Sequence, residues 1–444
     1  GCNYGFGLDI ARRTFGWHVV GVEPSLAGVR GARELGIDIR PEYLTPDSDL
    51  GGTFELVTAI EVIEHVPDPL AFLNTVRSVL SPGGVLVMTT PAAEVVREDA
   101  PLTDVLRVLS AGYHVFLASQ AGMAALLARA GFAAVDVELD HTTLRVRAAT
   151  EALPPSPGYT TFDPALLEQY YEEVGAAAPR GSALRLGMLT RGLRLAVARA
   201  RWASARRTAR MMQAEFRRRY AIDLTRPGRT SDQLRSGAVV PWPLIGASFA
   251  LGMLELLDSG RAQRAAELFE LASLAAEKWS ADQNILDLDT VDLVEQAAYH
   301  RALALARTDP ALVPAIVAGW PEPADVDARE RLDARLCRLA VELLNQGRDA
   351  EAAALTADLA ARASRASTSV SPSIALDGRD GLYAAGVLAL RRGDTASARE
   401  LLDRCLVRCS ETSGAHAASL AQLVRDTLES IAASPVDGIG AVLL

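Results

Sequence analysis

The chain opens on Gly1-Cys2-Asn3-Tyr4-Gly5-Phe6-Gly7, a glycine-rich turn of the kind that ends a strand and opens a helix. Its glycines let backbone N–H groups approach an anionic or polar cofactor closely, and the helix that follows adds its positive end. Glu23 comes about 18 residues after Gly5, at the end of the next apolar run, where a carboxylate can accept hydrogen bonds from both hydroxyls of a ribose. Further on stand Ile60-Glu61-Val62-Ile63-Glu64-His65-Val66 and the turn Leu80-Ser81-Pro82-Gly83-Gly84. A second histidine, His114, lies in Tyr113-His114-Val115-Phe116. Imidazole is the side chain best suited to proton transfer near neutral pH.

These residues need elements to hold them, and residues 1–150 alternate strand and helix patterns as βα units do. The patterns predict a helix over 7–15, strands over 18–22 and 37–39 with a helix between them, and a buried strand over 54–60. A helix over 69–80, a strand over 85–90, a partly helical lid over 91–113 and a helix over 119–130 should follow. Strands over 134–139 and 143–148 would complete one open sheet with helices on both faces. No strand precedes the glycine turn and the chain does not begin with methionine, so the first strand of the domain is expected to be truncated.

Taken in order and spacing, the glycine turn, Glu23, the Glu-x-x-Glu-His-Val segment and the Pro-Gly-Gly turn resemble a class I S-adenosylmethionine-dependent methyltransferase. The likeness is closest to the branch that includes ubiquinone-biosynthesis O-methyltransferases, and it covers residues 1–150. It implies a Rossmann-like α/β domain. S-adenosylmethionine would be cradled by Gly1, Cys2, Asn3, Tyr4 and Gly5, with its ribose on Glu23 beside Pro24. The adenine would lie near Tyr43-Leu44-Thr45, with Leu44 flanking it, and Ile60 and Glu61 would floor the cleft. Two departures stand out. Asn3 replaces the middle glycine and must take a left-handed backbone, which asparagine tolerates better than most residues. No Asp marks the adenine loop. A dinucleotide-dependent dehydrogenase would share the turn and the acid, but has no use for the Glu-His-Val and Pro-Gly-Gly segments.

Methyl transfer is an in-line displacement from a sulfonium, so positioning at about 3–3.5 Å with water excluded carries much of the catalysis. A hydroxyl acceptor must also lose its proton, and His65 and His114 are the catalytic candidates for taking it. In ubiquinone-type relatives the positions matching Glu61, Glu64 and His65 hold a divalent metal. The favoured reading here is no metal, with Glu64 and His65 capping and orienting the next helix.

The rest of the chain is of another kind. At 444 residues, 49% of them apolar, there is material for two or three cores. Glu151-Ala152-Leu153-Pro154-Pro155-Ser156-Pro157-Gly158 is a linker, since its prolines stop both helix and strand. A linker and basic helical segment over 151–235 then leads to an all-α helical-repeat domain over 236–435. Phe249, Leu256, Gly260, Ala265, Phe269 and Ala272 fall at offsets resembling a tetratricopeptide unit. Leu343, Gly347 and Ala352 repeat the pattern, as do Gly386, Gly393, Ala398, Leu402 and Cys405, with a Ser-rich loop over 364–380 before them. Such hairpins form a groove for a protein partner.

Twelve arginines and one acid, Glu215, occupy residues 180–219. This helix, expected to break once, suits peripheral membrane contact or phosphorylated glycan; the favoured reading is a solvated helix answered by the acidic remainder. A loop is expected over 223–243. The net charge of −10 argues against a nucleic-acid binder, and four cysteines without a pairing pattern point to a reducing cytoplasm. The expected function is O-methylation of a small-molecule or glycan acceptor. The alternative is a non-catalytic scaffold with a degenerate methyltransferase domain, for which Asn3 is the argument.

Overall fold

A computed structural model describes residues 1–100, 102–155, 163–283, 288–321, 326–355, 379–410 and 415–433. The chain divides into two compact units, Gly1–Tyr170 and Tyr171–Leu444.

In the first unit the glycine turn opens α1 (Phe6–Phe15), which ends on Gly16 at φ 68°, a left-handed stop that glycine supplies without strain. Strands β1 (Val20–Val22) and β2 (Asp38–Arg40) pair in parallel. The connection between them runs through α2 (Leu26–Gly31), capped by the Ser25 side chain, which accepts from the Ala27 N–H. A π-helical turn, Ala32–Gly36, completes it.

The second sheet has the order β3-β4-β6-β5. Strand β3 (Phe54–Ile60) runs parallel to β4 (Leu80–Pro91), with Leu56 opposite Val85 and Ile60 opposite Thr89. The register shifts between Phe54 and Leu56, where β4 carries the Pro-Gly-Gly turn. Gly84 is required there, since a Cβ would sit 2.8 Å from the Phe54 carbonyl. Strands β5 (Ala134–Asp140) and β6 (Thr143–Ala149) are antiparallel, and β6 also pairs antiparallel with β4. Helix α3 (Pro69–Ser78) starts on Asp68, whose carboxylate accepts from the Ala71 N–H at 2.9 Å. Helices α4 (Leu102–Leu109) and α5 (Gln120–Arg129) follow, with Ser119 capping α5, and helix α6 (Pro164–Ala177) begins within this unit. Leu73, Val76, Leu86, Met88, Met123, Leu127 and Leu144 pack as its core.

The strands expected as an open sheet with its first strand truncated form two sheets among the described residues. A cleft of about 870 Å³ is lined by both facing edges, Val20 of β1 and Leu56, Thr58 and Ile60 of β3, together with Leu8 and Ala11 of α1. The break falls where the resemblance puts the first strand of the domain. The cleft is mostly apolar; its lining includes Gly1 and Cys2 of the glycine turn and Ile60, but neither Glu23 nor Glu61.

Asp9 anchors α1. Its carboxylate is fully buried and accepts from Arg12 Nη2 at 2.5 Å, Arg13 Nε at 2.9 Å and the Tyr170 hydroxyl at 3.1 Å. Removing it takes a buried acceptor from two arginines and a hydroxyl, although Arg12 keeps the Leu35 and Gly36 carbonyls, so Asp9→Ala is expected to destabilise the first unit by about 1–3 kcal/mol. Urea unfolding would register this as a lower midpoint; an unchanged midpoint would contradict the anchor.

The second unit is helical. The basic stretch breaks once, as expected, between α7 (Ala183–Ala198) and α8 (Trp202–Tyr220), with Ala200 at φ 53°. Its charge is met within the unit at several positions: Arg185 and Arg218 on the buried Glu215, Arg206 on Asp258, Arg207 on Glu172, and Arg217 on Asp223. The expected loop over 223–243 contains a helix, α9 (Pro227–Arg235), which proline starts at its first position.

Helices Pro243–Leu257 and Ala262–Gln283 form a hairpin turning at Gly260, φ 65°, and Gly252 lets Phe269 pack where a Cβ would lie 2.7 Å from its ring. Helices Arg379–Arg391 and Thr395–Ser410 repeat this with Gly393 at φ 80° and Gly386 against Leu402. Leu343 and Ala352 are buried on either side of Gly347, itself at φ 69°. Residues 156–158 of the expected linker, and 364–378 of the expected Ser-rich loop, lie outside the described residues.

Candidate functional site

The glycine turn is built against the end of β1. The Gly1 amine and the Cys2 N–H both donate to the Val22 carbonyl, at 2.6 and 3.2 Å, and the Gly5 N–H donates to the Cys2 carbonyl at 2.9 Å. Asn3 takes φ 51° and Gly5 φ 83°, so the asparagine adopts the left-handed backbone that its position demands. The Asn3 N–H donates to Glu23 Oε2 at 2.9 Å and the Ser25 N–H to Glu23 Oε1 at 3.0 Å. Partial burial pushes the Glu23 carboxyl up, but these bonds and the nearby amine outweigh it, and the carboxyl titrates below its ordinary range. Glu23 is therefore an ionised acceptor, tied to the turn through Oε2 and to Ser25 through Oε1, with lone pairs left for a ligand's hydroxyls.

Two glycines of α2 allow this arrangement. At Gly28 a Cβ would lie 2.7 Å from Glu23 Cγ, and at Gly31 it would lie 1.9 Å from the Tyr4 carbonyl oxygen. Neither was marked by the sequence reading. The signal available was two glycines three residues apart in the helix that starts beside Glu23.

Tyr4 turns away from a direct catalytic role. Its hydroxyl donates to Glu34 Oε2 at 2.6 Å, its ring stacks on Phe6 at 4.7 Å, and burial followed by the Glu34 contact pushes its hydroxyl well up. The Cys2 thiol is pushed up by burial. Pro24 is exposed beside Glu23, and Leu44 is half-buried against the domain core.

The end of β3 holds the other group. Ile60 is exposed. Glu61 takes φ 53°; its N–H donates to the Thr89 carbonyl at 3.0 Å, and its Oε1 accepts from the Thr89 hydroxyl at 2.8 Å. Glu64 is fully buried. Its Oε2 accepts from the Thr90 hydroxyl at 3.0 Å, whereas Oε1 has no hydrogen-bond partner, and burial pushes the carboxyl up. The helix-capping role expected of Glu64 and His65 belongs instead to Asp68.

The segment after α4 is drawn onto this group by its backbone. Val115 and Phe116 N–H both donate to the Glu64 carbonyl, at 2.8 and 3.2 Å. That brings His114 to His65, with ring centroids 5.0 Å apart and planes at 68°. His65 Nδ1 lies 3.0 Å from the Tyr113 carbonyl oxygen and His114 Nδ1 2.6 Å from that of Val108. A carbonyl only accepts, so each Nδ1 carries a proton, and Nε2 is the ring nitrogen left to face other groups.

Of the set Glu61, Glu64 and His65 that the resemblance implies for a metal, two members fit. Among the described residues, ligand atoms of Glu64, His65 and His114 lie within 4.8 Å of one another, whereas Glu61 is engaged with Thr89. Around Glu23 a left-handed turn and an ionised acid stand together, with the Asn3 and Ser25 N–H groups donating to the carboxylate.

Comparison with known proteins points the same way. A family described as "Methyltransferase domain" matches residues 1–137. Relatives include the ubiquinone biosynthesis O-methyltransferase of Bradyrhizobium sp. (strain ORS 278), 36% identical over 96 residues, spanning 20% of this chain and 37% of that protein. The enzyme of the same name from Xanthomonas campestris pv. campestris (strain B100) is 35% identical over 97 residues, spanning 20% of this chain and 40% of that protein. That of Parvibaculum lavamentivorans is 43% identical over 65 residues, 14% of this chain and 26% of that protein. The chain thus spans well under half the length of these relatives.

Proposed function

Starting from an amino-terminal methyltransferase domain of the class I, S-adenosylmethionine-dependent kind, we propose that the protein methylates a hydroxyl of a small-molecule or glycan acceptor. The observation that carries this reading is the pairing of two groups in one domain. An ionised carboxylate, Glu23, is tied to a left-handed glycine turn, and two imidazoles are held through Nδ1 by backbone carbonyls, which leaves Nε2 as the nitrogen that could take a proton. Asn3, the argument for a non-catalytic scaffold, does the work of a glycine here and its N–H holds Glu23.

In this reading Gly1–Gly5 cradle the methionine end of the cofactor and Glu23 accepts the ribose hydroxyls. Pro24, Leu44, Ile60 and Glu61 border the remainder. S-adenosylmethionine supplies a methyl group on a sulfonium whose charge disappears as the methyl leaves. The Nε2 of His114 or His65 takes the proton of the acceptor hydroxyl, so that the oxygen attacks as its negative charge develops. The backbone bonds at Nδ1 keep each ring in the tautomer that can do this. The helical hairpins of the second unit, tetratricopeptide-like in this proposal, would bind a protein partner or present the acceptor. Contact of the basic helix with a membrane surface and a cytoplasmic location belong to the same proposal; no described helix is long and apolar enough to cross a membrane.

His114→Ala is expected to lower methyl transfer by about 100-fold while the cofactor dissociation constant stays within about twofold. Steady-state kinetics beside calorimetry would check this. Equal loss of turnover and affinity would contradict the role in activating the acceptor.

A further inference from the structure

We infer that a groove in the second unit, walled by Arg226, Arg229, Arg261 and Arg264, binds a small molecule through a phosphate monoester or diphosphate group. Its ligand is independent of the methyltransferase reading.

The groove has a volume of about 760 Å³, and Glu267 is the one carboxylate among its lining residues. The arginines come in two copies of one pattern, Arg226-Pro227-Gly228-Arg229 and Arg261-Ala262-Gln263-Arg264. In each copy the first arginine stands just before a helix and the second is its third residue, in α9 and in helix Ala262–Gln283. Four cations thus sit at the positive ends of two helices, where positive charge is unfavourable. An anion between them would reverse the sign of that interaction.

Elsewhere the arginines of this region are answered. Arg206 meets Asp258, Arg217 meets Asp223, and Arg235, later in α9, meets Asp232 and Glu270. Arg226 and Arg229 are exposed, and among the described residues neither guanidinium has an ion-pair or hydrogen-bond partner. Two like charges three residues apart on one helix also repel each other.

The other two arginines are held ready. Glu255 is buried, and its Oε2 accepts from Arg261 Nε at 2.7 Å. Arg264 Nε, itself buried, lies 3.2 Å from Glu255 Oε1 without hydrogen-bond alignment. One carboxylate therefore positions two guanidinium groups by their Nε edges. Among the described residues their Nη groups have no acceptor, which leaves the ends whose geometry matches phosphate oxygens.

The charge defines the ligand. A phosphate monoester carries nearly two negative charges at neutral pH and three strong acceptor oxygens, enough to engage several guanidinium groups at once. A single carboxylate would meet one of them. None of the exposed large apolar side chains lines the groove, so it favours a free phosphorylated molecule over a lipid surface.

Pyrophosphate is titrated calorimetrically into the full chain at physiological ionic strength, and saturable one-to-one binding is expected. Arg226→Gln and Arg229→Gln should each weaken it about tenfold or more. Arg210→Gln removes an exposed charge outside the groove and should stay within about twofold of the wild type. Without ligand, the double variant Arg226→Gln/Arg229→Gln should unfold no earlier than the wild type on heating, because it loses repulsion. Pyrophosphate should raise the wild-type midpoint and leave that of the double variant unchanged. Absence of saturable binding overturns the inference. So does wild-type affinity in the double variant, its earlier unfolding without ligand, or a loss in Arg210→Gln as large as in Arg229→Gln. Phosphatidylcholine vesicles containing phosphatidic acid form the second arm. Vesicle capture that the double variant loses, with no binding of pyrophosphate, would put a lipid headgroup in the groove and overturn the inference of a free ligand.

Discussion

Glu23→Ala is expected to raise the dissociation constant for S-adenosylmethionine by roughly 100-fold or more, the largest effect of any single change in the cofactor cradle. Two hydrogen bonds from ribose hydroxyls to an ionised carboxylate contribute about 1.5–3 kcal/mol each. The same substitution also frees the Asn3 and Ser25 N–H groups that Glu23 now accepts from, so the turn loses its anchor along with the ligand. Calorimetry on the full chain checks this, and affinity within threefold of the wild type would remove Glu23 from the site. A pH series adds a second readout. Because the folded carboxyl titrates below its ordinary range, its contribution is full above that range and is lost only as pH falls through the lowered one. Cofactor binding should therefore hold at about pH 5 and decline in stronger acid.

Gly31→Ala should have the second largest effect, though Gly31 itself is no ligand. A Cβ there would sit 1.9 Å from the Tyr4 carbonyl oxygen, and the obstruction is backbone, which cannot rotate away. Either α2 moves off the turn or the turn moves off Glu23. Overpacking of this kind costs about 1–3 kcal/mol, and the displacement should weaken cofactor binding at least tenfold. Gly7→Ala is the control, since a Cβ at Gly7 has nothing within 4 Å. Equal affinities in Gly31→Ala and Gly7→Ala would show that the close approach is unimportant to the cradle.

Much of the domain was legible because its signals are local. Ser119 before the apolar run and Gly131 after it bound α5, and a cap and a left-handed stop act over a few residues. Strand β3 spans the length its short, nearly continuous apolar run predicts, but it is not the buried strand expected: Leu56 and Ile60 are exposed and only Ala59 is buried. The break between α7 and α8 is expected, whereas α9 lies in the stretch expected to be loop. There the buried Thr230, Ser231 and Leu234 show tertiary packing overriding propensity.

What was not legible depends on long-range backbone bonds. Nothing in the types or spacing of His65 and His114 says that the rings meet; that follows from Val115 and Phe116 donating to the Glu64 carbonyl. The same holds for Gly28 and Gly31, whose use appears only when α2 closes on Glu23 and Tyr4. Glu61 shows the converse. Its place in the Glu-x-x-Glu-His-Val segment suggested a shared role with Glu64, but a left-handed backbone turns it to Thr89.

The central claim is that the glycine turn and Glu23 belong to a site for S-adenosylmethionine and not for a dinucleotide. Calorimetric titration of the full chain with S-adenosylhomocysteine and, separately, with NAD tests it most directly. The account predicts saturable one-to-one binding of the first and no measurable heat from the second. Binding of NAD with none of S-adenosylhomocysteine would contradict it.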